Sequence, residues 1–174
     1  FCMKTLVAWF SHRGMNYVAG KMVDLKVGNT EVAAKLAAEL SGAGLFEIRT
    51  VQDYPFDYRE CVEVSKRELA ENARPELAVQ PPELDGVDTL VLCYPCWCGT
   101  MPMPVWSFLD GCELSGKRIL PLCTNEGSGM GHSEADIKRL CPGATVEKGL
   151  SIKGSTVSGA KPQISAWLSE NGLV

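Results

Sequence analysis

Three short stretches of this 174-residue chain carry the residue types of ligand binding rather than of covalent catalysis. Ser11-His12-Arg13, followed after a gap by Gly28-Asn29-Thr30, offers hydroxyl and amide donors at what reads as a helix start. Free backbone N–H groups and the positive end of the helix dipole favour an anion there, a phosphate above all. Tyr94-Pro95-Cys96-Trp97-Cys98-Gly99-Thr100 offers two aromatic side chains that could stack on a planar ring, and Gly99 lets a backbone approach closely. Thr124-Asn125-Glu126-Gly127-Ser128-Gly129 offers backbone donors for ring carbonyls. Each has a plainer role as a helix cap, an exposed turn or a Gly-rich connection. Their weight comes from falling together after successive strands.

Other motifs carry less. Cys93-x-x-Cys96-x-Cys98 suggests a metal or iron–sulfur site, but no second Cys-x-x-Cys pair accompanies it and Cys93 should point into a sheet. A thioredoxin-like dithiol at Cys96 and Cys98 is not expected, because no helix follows at once to lower a thiol pKa. These thiols read instead as small, soft side chains lining the ligand. Gly111-x-x-x-x-Gly116-Lys117 resembles a nucleotide loop but continues with Arg118 instead of Ser or Thr and precedes a strand. No Gly-x-Gly-x-x-Gly occurs, so a nicotinamide cofactor has no dedicated fingerprint. His12 and His132 read as solvated or ordinarily hydrogen-bonded, since Cys123, the nearest nucleophile, ends a buried strand. Asp57 to Glu60 reads as a solvated helix start.

The elements that would position these loops follow from hydrophobic periodicity. Strands are expected at 4–10, 45–50, 87–93, 118–123 and 146–152. Helices are expected from Asn29-Thr30 to about Leu40, over 57–73, 104–109 and 162–170, and from a Ser133 cap to Leu140. Near-continuous apolar strands alternating with helices imply an α/β, three-layer α/β/α sandwich around a five-stranded parallel sheet, with 2-1-3-4-5 among its allowed orders. Gly14 to Gly28 is the one irregular piece, an insertion of about 15 residues where 2–6 is usual.

Length, at ~150 residues per domain, gives a single domain over 1–174. Hydrophobic residues at 45% and charged residues at 22% exclude disorder and coiled coil. A net charge of −4 with scattered basic residues argues against nucleic acid, and no run reaches the ~18 apolar residues of a membrane span. Eight cysteines, some in strand-like runs of a chain this long, read as reduced thiols of a cytoplasmic protein. Met3 reads as the natural start, with Phe1-Cys2 a cloning remnant or the end of a removed leader.

Over nearly its whole length the chain resembles flavodoxin-like proteins. Ser11-x-Arg13 with Gly28-Asn29-Thr30 is similar to the phosphate loop Ser/Thr-x-Thr-Gly-Asn-Thr, split by the insertion. Residues 94–102 and 124–131 resemble the two ring-binding loops of a bacterial branch. The resemblance implies FMN, with its phosphate at Ser11, Asn29 and Thr30 and Arg13, Asn16 or Val27 as further candidates. It places the isoalloxazine between Pro95, Cys96, Trp97, Cys98 and Gly99 on one side and Thr124, Glu126, Gly127 and Ser128 on the other. Trp97 would stack on or flank the ring. The function implied is electron transfer through a non-covalent flavin, to a redox partner protein or a small acceptor. Members that act as low-potential carriers are usually strongly acidic, and −4 is mild. An NAD(P)H-dependent reductase of quinones or similar acceptors is therefore the alternative, with a cofactor-free interaction module behind it.

Overall fold

The computed structural model describes residues 4–174; Phe1, Cys2 and Met3 lie outside the described residues. Strands β1 (Thr5–Trp9), β4 (Gly44–Glu47), β5 (Thr89–Pro95) and β6 (Arg118–Asn125) form a parallel sheet. It continues with two short segments, β7 (Thr145–Val146) and β8 (Leu150–Lys153), both paired with β6. The spatial order is β4-β1-β5-β6-β7, with β8 continuing the edge beyond β7. β5 and β6 are buried along almost their whole length, which is why they read as continuous apolar runs.

Alternate strand residues feed two cores. Ala8, Leu90, Leu92 and Ile119 pack beneath α2 (Tyr58–Ala70), α3 (Met103–Asp110) and α4 (Ser133–Leu140). Val7, Val91, Leu120 and Leu122 pack beneath α1 (Asn29–Ser41) and α5 (Lys161–Glu170). α1 meets the sheet with Ala33, Ala34, Ala37 and Ala38, so its backbone lies close to the strand ends. Gly42, at φ 70°, ends it in a left-handed cap.

Two expectations are corrected. The fifth strand is broken at 147–149, opposite Pro121. Ile119 accepts from Glu147 N, whereas Thr124 accepts from Cys96 N on the other edge of β6. Backbone groups alternate between edges, so Pro121 faces the fifth strand, where its missing N–H leaves a gap in the ladder. The segment 14–28 is not irregular. It contains an antiparallel hairpin of β2 (Gly14–Val18) and β3 (Lys21–Leu25), turned at Ala19 and Gly20 with φ of 51° and 82°. Two positive φ values make the two-residue turn whose twist suits a hairpin, and Ala-Gly lacks the Asn or Asp that normally signals it. Smaller differences concern caps. Ser133 is the first residue inside α4 rather than its cap, and α1 begins behind Gly28 with no side-chain cap.

Replacing Ala19 by Asn, which tolerates the left-handed region, should stabilise the hairpin by about 0.5–1 kcal/mol. Slower amide hydrogen exchange across 14–25 would show it, and unchanged exchange would count against this turn.

Candidate functional site

β1, β5 and β6 end at one edge of the sheet, and the loops that follow them enclose a cleft of about 470 Å³. One end is the start of α1. Gly28 sits against Ser11 so tightly that a Cβ there would lie 2.0 Å from Ser11 Oγ and 2.9 Å from the His12 carbonyl oxygen. Without a side-chain cap, the first-turn N–H groups remain as donors, and Ser11 and Asn29 line the cleft beside them. Thr30 is different. Its hydroxyl is 2.7 Å from that of Thr124, and this buried link ties α1 to β6 under the cleft.

The other end is the turn after β5. Trp97 N donates to Thr100 O at 2.9 Å and Thr100 N returns to Trp97 O at 3.1 Å, with Cys98 and Gly99 both left-handed at φ 53° and 80°. Trp97 is half-buried, edge-on to Phe10, Tyr54 and His12 with ring centroids 5.4, 5.1 and 6.0 Å away. That packing fixes the indole on the cleft wall. His12 donates Nε2–H to the Pro55 carbonyl at 2.8 Å, so it is hydrogen-bonded in the manner expected and not solvated.

Ser11, Asn29, Thr30, Pro95, Cys96, Trp97, Cys98, Thr124, Glu126 and Ser128 all line this one cleft. Arg13, Gly99 and Gly127 do not. Arg13 turns to Glu31, donating to Oε1 from Nη2 at 3.0 Å and from Nε at 3.2 Å. Burial raises the Glu31 pKa, but hydrogen bonds from Lys35 and Arg13 outweigh it and hold the carboxylate below its ordinary range. A buried carboxylate in the first turn thus holds the cation that was one of the candidates for a phosphate. The N–H groups of Gly127 and Gly129 are both taken by Asn125 Oδ1 at 3.0 Å, and the Gly99 carbonyl accepts from His132 N. Tyr94 cannot stack on a ligand, being fully buried with its hydroxyl donated to Ser133 Oγ at 2.8 Å.

The remaining walls come from Asn16, a phosphate candidate in the sequence, and from residues given no ligand role there. Tyr58, Cys61, Val62 and Ser65 present one face of α2 to the cleft, and Asn16 and Tyr17 reach it from the hairpin. The spacing 58, 61, 62, 65 is helical, and it was legible as an uncharged stripe on a charged helix. Tyr17 and Tyr58 meet at 6.4 Å, which fastens the hairpin to α2; in the helix start 57–60, Asp57, Arg59 and Glu60 are exposed as expected, and Tyr58 lines the cleft. Asn16 Nδ2 is spent on the His12 and Gly14 carbonyls.

The cleft fits a phosphorylated flavin on grounds of its own structure. Gly28 and Gly154 are places where a Cβ would collide with the cleft lining, the latter 2.4 Å from Asn29 Nδ2 and 3.0 Å from Glu126 Oε1. Both Glu126 carboxylate oxygens are buried with no hydrogen-bond partner among the described residues. An orphaned buried carboxylate marks a wall that donor groups from outside the chain would complete, and hydroxyls supply such donors.

The family model for flavodoxin matches residues 4–171. The chain belongs to the flavodoxin family. Among solved structures, proteins classed as flavoproteins from Bacteroides uniformis and Bacteroides eggerthii are each 25% identical to it. The first covers 96% of this chain and 98% of that one with a TM-score of 0.76, the second 96% of each with 0.75. A Lactobacillus acidophilus flavoprotein solved in complex with FMN is 17% identical over 91% of this chain and 98% of that one. Its TM-score of 0.62 shows a shared fold. A comparison with curated proteins finds no match. Within the flavodoxin fold the hairpin 14–25 separates Ser11 from Gly28 in sequence, yet the two still meet.

Arg13→Ala should leave FMN affinity unchanged and cost about 0.5–1 kcal/mol of stability, because Lys35 still faces Glu31. The Glu31 contribution exists above its unfolded pKa and is lost as pH falls through its lowered folded value, so the variant's deficit should vanish in acid. Titration calorimetry and melts at neutral and acidic pH check both parts; weakened FMN binding would return Arg13 to the site.

Proposed function

We propose that this flavodoxin-family chain holds FMN without a covalent link and exchanges electrons with a redox partner protein or a small acceptor. The observation that carries the reading is the pairing of an uncapped helix start, closed onto Ser11, with an aromatic-backed turn at the other end of one cleft. Bound there, FMN would supply one- or two-electron transfer. First-turn N–H groups of α1, with Ser11 and Asn29, would hold the phosphate dianion. The Thr30–Thr124 link keeps that terminus in register with β6, so the donors are fixed before the ligand arrives. Trp97, braced by Phe10 and Tyr54, would exclude water from one side of the ring. Glu126 would accept from ligand hydroxyls, and Ser128 lies beside it on the exposed loop.

We infer a cytoplasmic setting, supported by seven free thiols among the described residues. No helix among them is long and apolar enough to cross a membrane. A second reading, an NAD(P)H-dependent reductase of quinones or similar acceptors, draws support from Tyr17 and Tyr58. They bring two aromatic rings to the cleft beside Lys66, where a second planar substrate could dock.

The protein, saturated with FMN and desalted, should retain a two-band flavin spectrum. Bleaching on addition of NADH or NADPH would favour the reductase, and inertness the carrier. Loss of the flavin on desalting would remove the cofactor reading altogether.

A further inference from the structure

Trp97 bounds the aromatic end of the cleft, and two of the three rings that brace it rely on one short segment. Phe10 is fixed at the end of its own strand, its N–H donating to the Cys93 carbonyl at 3.1 Å. His12 is held instead by the Pro55 carbonyl, and Tyr54 lies in 51–57, which has no helix or strand of its own. Three consecutive residues tie this segment to three different parts of the fold. The Tyr54 hydroxyl donates to Glu68 Oε1 in α2 at 2.5 Å, the Pro55 carbonyl accepts from His12, and the Phe56 carbonyl accepts from Met15 N in β2 at 2.9 Å.

The first of these ties is the one that holds a ring. It is the only hydrogen bond Tyr54 makes among the described residues, and the only one the Glu68 carboxylate makes among them. Burial pushes the Tyr54 hydroxyl well above its ordinary range, so the phenol keeps its proton and stays the donor. Glu68 is half-buried, and placing a carboxylate there is costly unless the bond it makes has a use. Packing alone does not hold the ring. Tyr54 meets Phe10 and Trp97 with centroids 5.7 and 5.1 Å away, but Tyr54 and Glu68 also line a second cavity, of about 490 Å³. Without the hydroxyl link the ring has room to turn from Trp97 toward that space. The indole would then lose one of its edge contacts and part of its fixed place.

We propose that Glu68 is a positioning residue of the cleft: through the Tyr54 hydroxyl it keeps the Trp97 indole where it bounds the flavin. Glu68 does not line the cleft, so it acts only through the ring. The link from Glu68 to Trp97 stands on contacts within the chain, whereas its effect on FMN rests on the cofactor reading. Removing the carboxylate enlarges a cavity that already exists and leaves no void in the packed core, so the effect falls on the site and not on the fold.

Tyr54→Phe removes the donor, Glu68→Ala the acceptor, and Glu68→Gln keeps an accepting oxygen. In the cofactor-free protein, indole N–H signals are followed by nitrogen-15 NMR, with Trp97 assigned from Trp97→Phe. Tyr54→Phe and Glu68→Ala should shift and broaden the Trp97 signal, and Glu68→Gln should leave it in place. The signals of Trp9, Trp106 and Trp167 should stay unchanged in all three, which reports an intact fold. FMN affinity should fall about three- to tenfold in Tyr54→Phe and in Glu68→Ala, the scale of one hydrogen bond. It should fall no further in the double variant, since both changes break the same link, and Glu68→Gln should recover it. A Trp97 signal that neither single variant moves, losses that add in the double variant, or a Glu68→Gln that behaves as Glu68→Ala overturns the link. A Trp97 signal that moves while FMN binds as before overturns the positioning role. If the unaltered protein binds no FMN, the cofactor reading falls and the positioning role with it, while the indole signals still decide the link.

Discussion

The approach of Gly28 to Ser11 is the constraint on which the rest of the molecule depends. It brings the uncapped start of α1 against the end of β1, although a hairpin separates the two in sequence. Any side chain at position 28 would hold the two apart, and the first-turn N–H groups would no longer face the cleft. The small-residue face of α1 serves the same end by letting the helix lie close to the sheet, and the buried Thr30–Thr124 link anchors it to β6. Pre-set donors lose little freedom when a ligand binds, and binding energy then depends on the ligand's charge more than on ordering the protein.

Charge is distributed around this terminus with economy. Glu31 is buried in the first turn, and Arg13 and Lys35 neutralise it. The helix dipole and open N–H groups are thereby left for an incoming anion. Glu126, by contrast, holds a carboxylate beside Gly154 with no hydrogen-bond partner among the described residues. Its negative charge near a bound flavin would disfavour an anionic reduced form, even on a chain whose net charge is only −4.

Periodicity made the sheet and its flanking helices legible, because β5 and β6 have continuous apolar centres and α1 repeats its small residues at helical spacing. It also located most of the cleft, since ligands in open α/β sheets collect at the carboxyl ends of the strands. What it missed depends on contacts distant in sequence. Arg13 looks like a phosphate ligand until Glu31 is seen to be buried beside it. Tyr94 looks like a stacking group, but the alternation of β5 turns it into the core. Pro121 was in plain view, yet only the pairing of β6 shows that its missing N–H faces the fifth strand. The hairpin escaped because its turn is Ala-Gly.

The central claim is that the start of α1 is a phosphate site built from backbone donors. Comparing the affinity of the cofactor-free protein for FMN and for riboflavin, which differ only in the phosphate, tests it most directly. Charge-assisted hydrogen bonds of this kind predict that FMN binds about tenfold tighter or more, with the advantage shrinking in high salt. Equal affinities would mean that the helix terminus holds nothing, and that the likeness to a phosphate loop is one of fold alone.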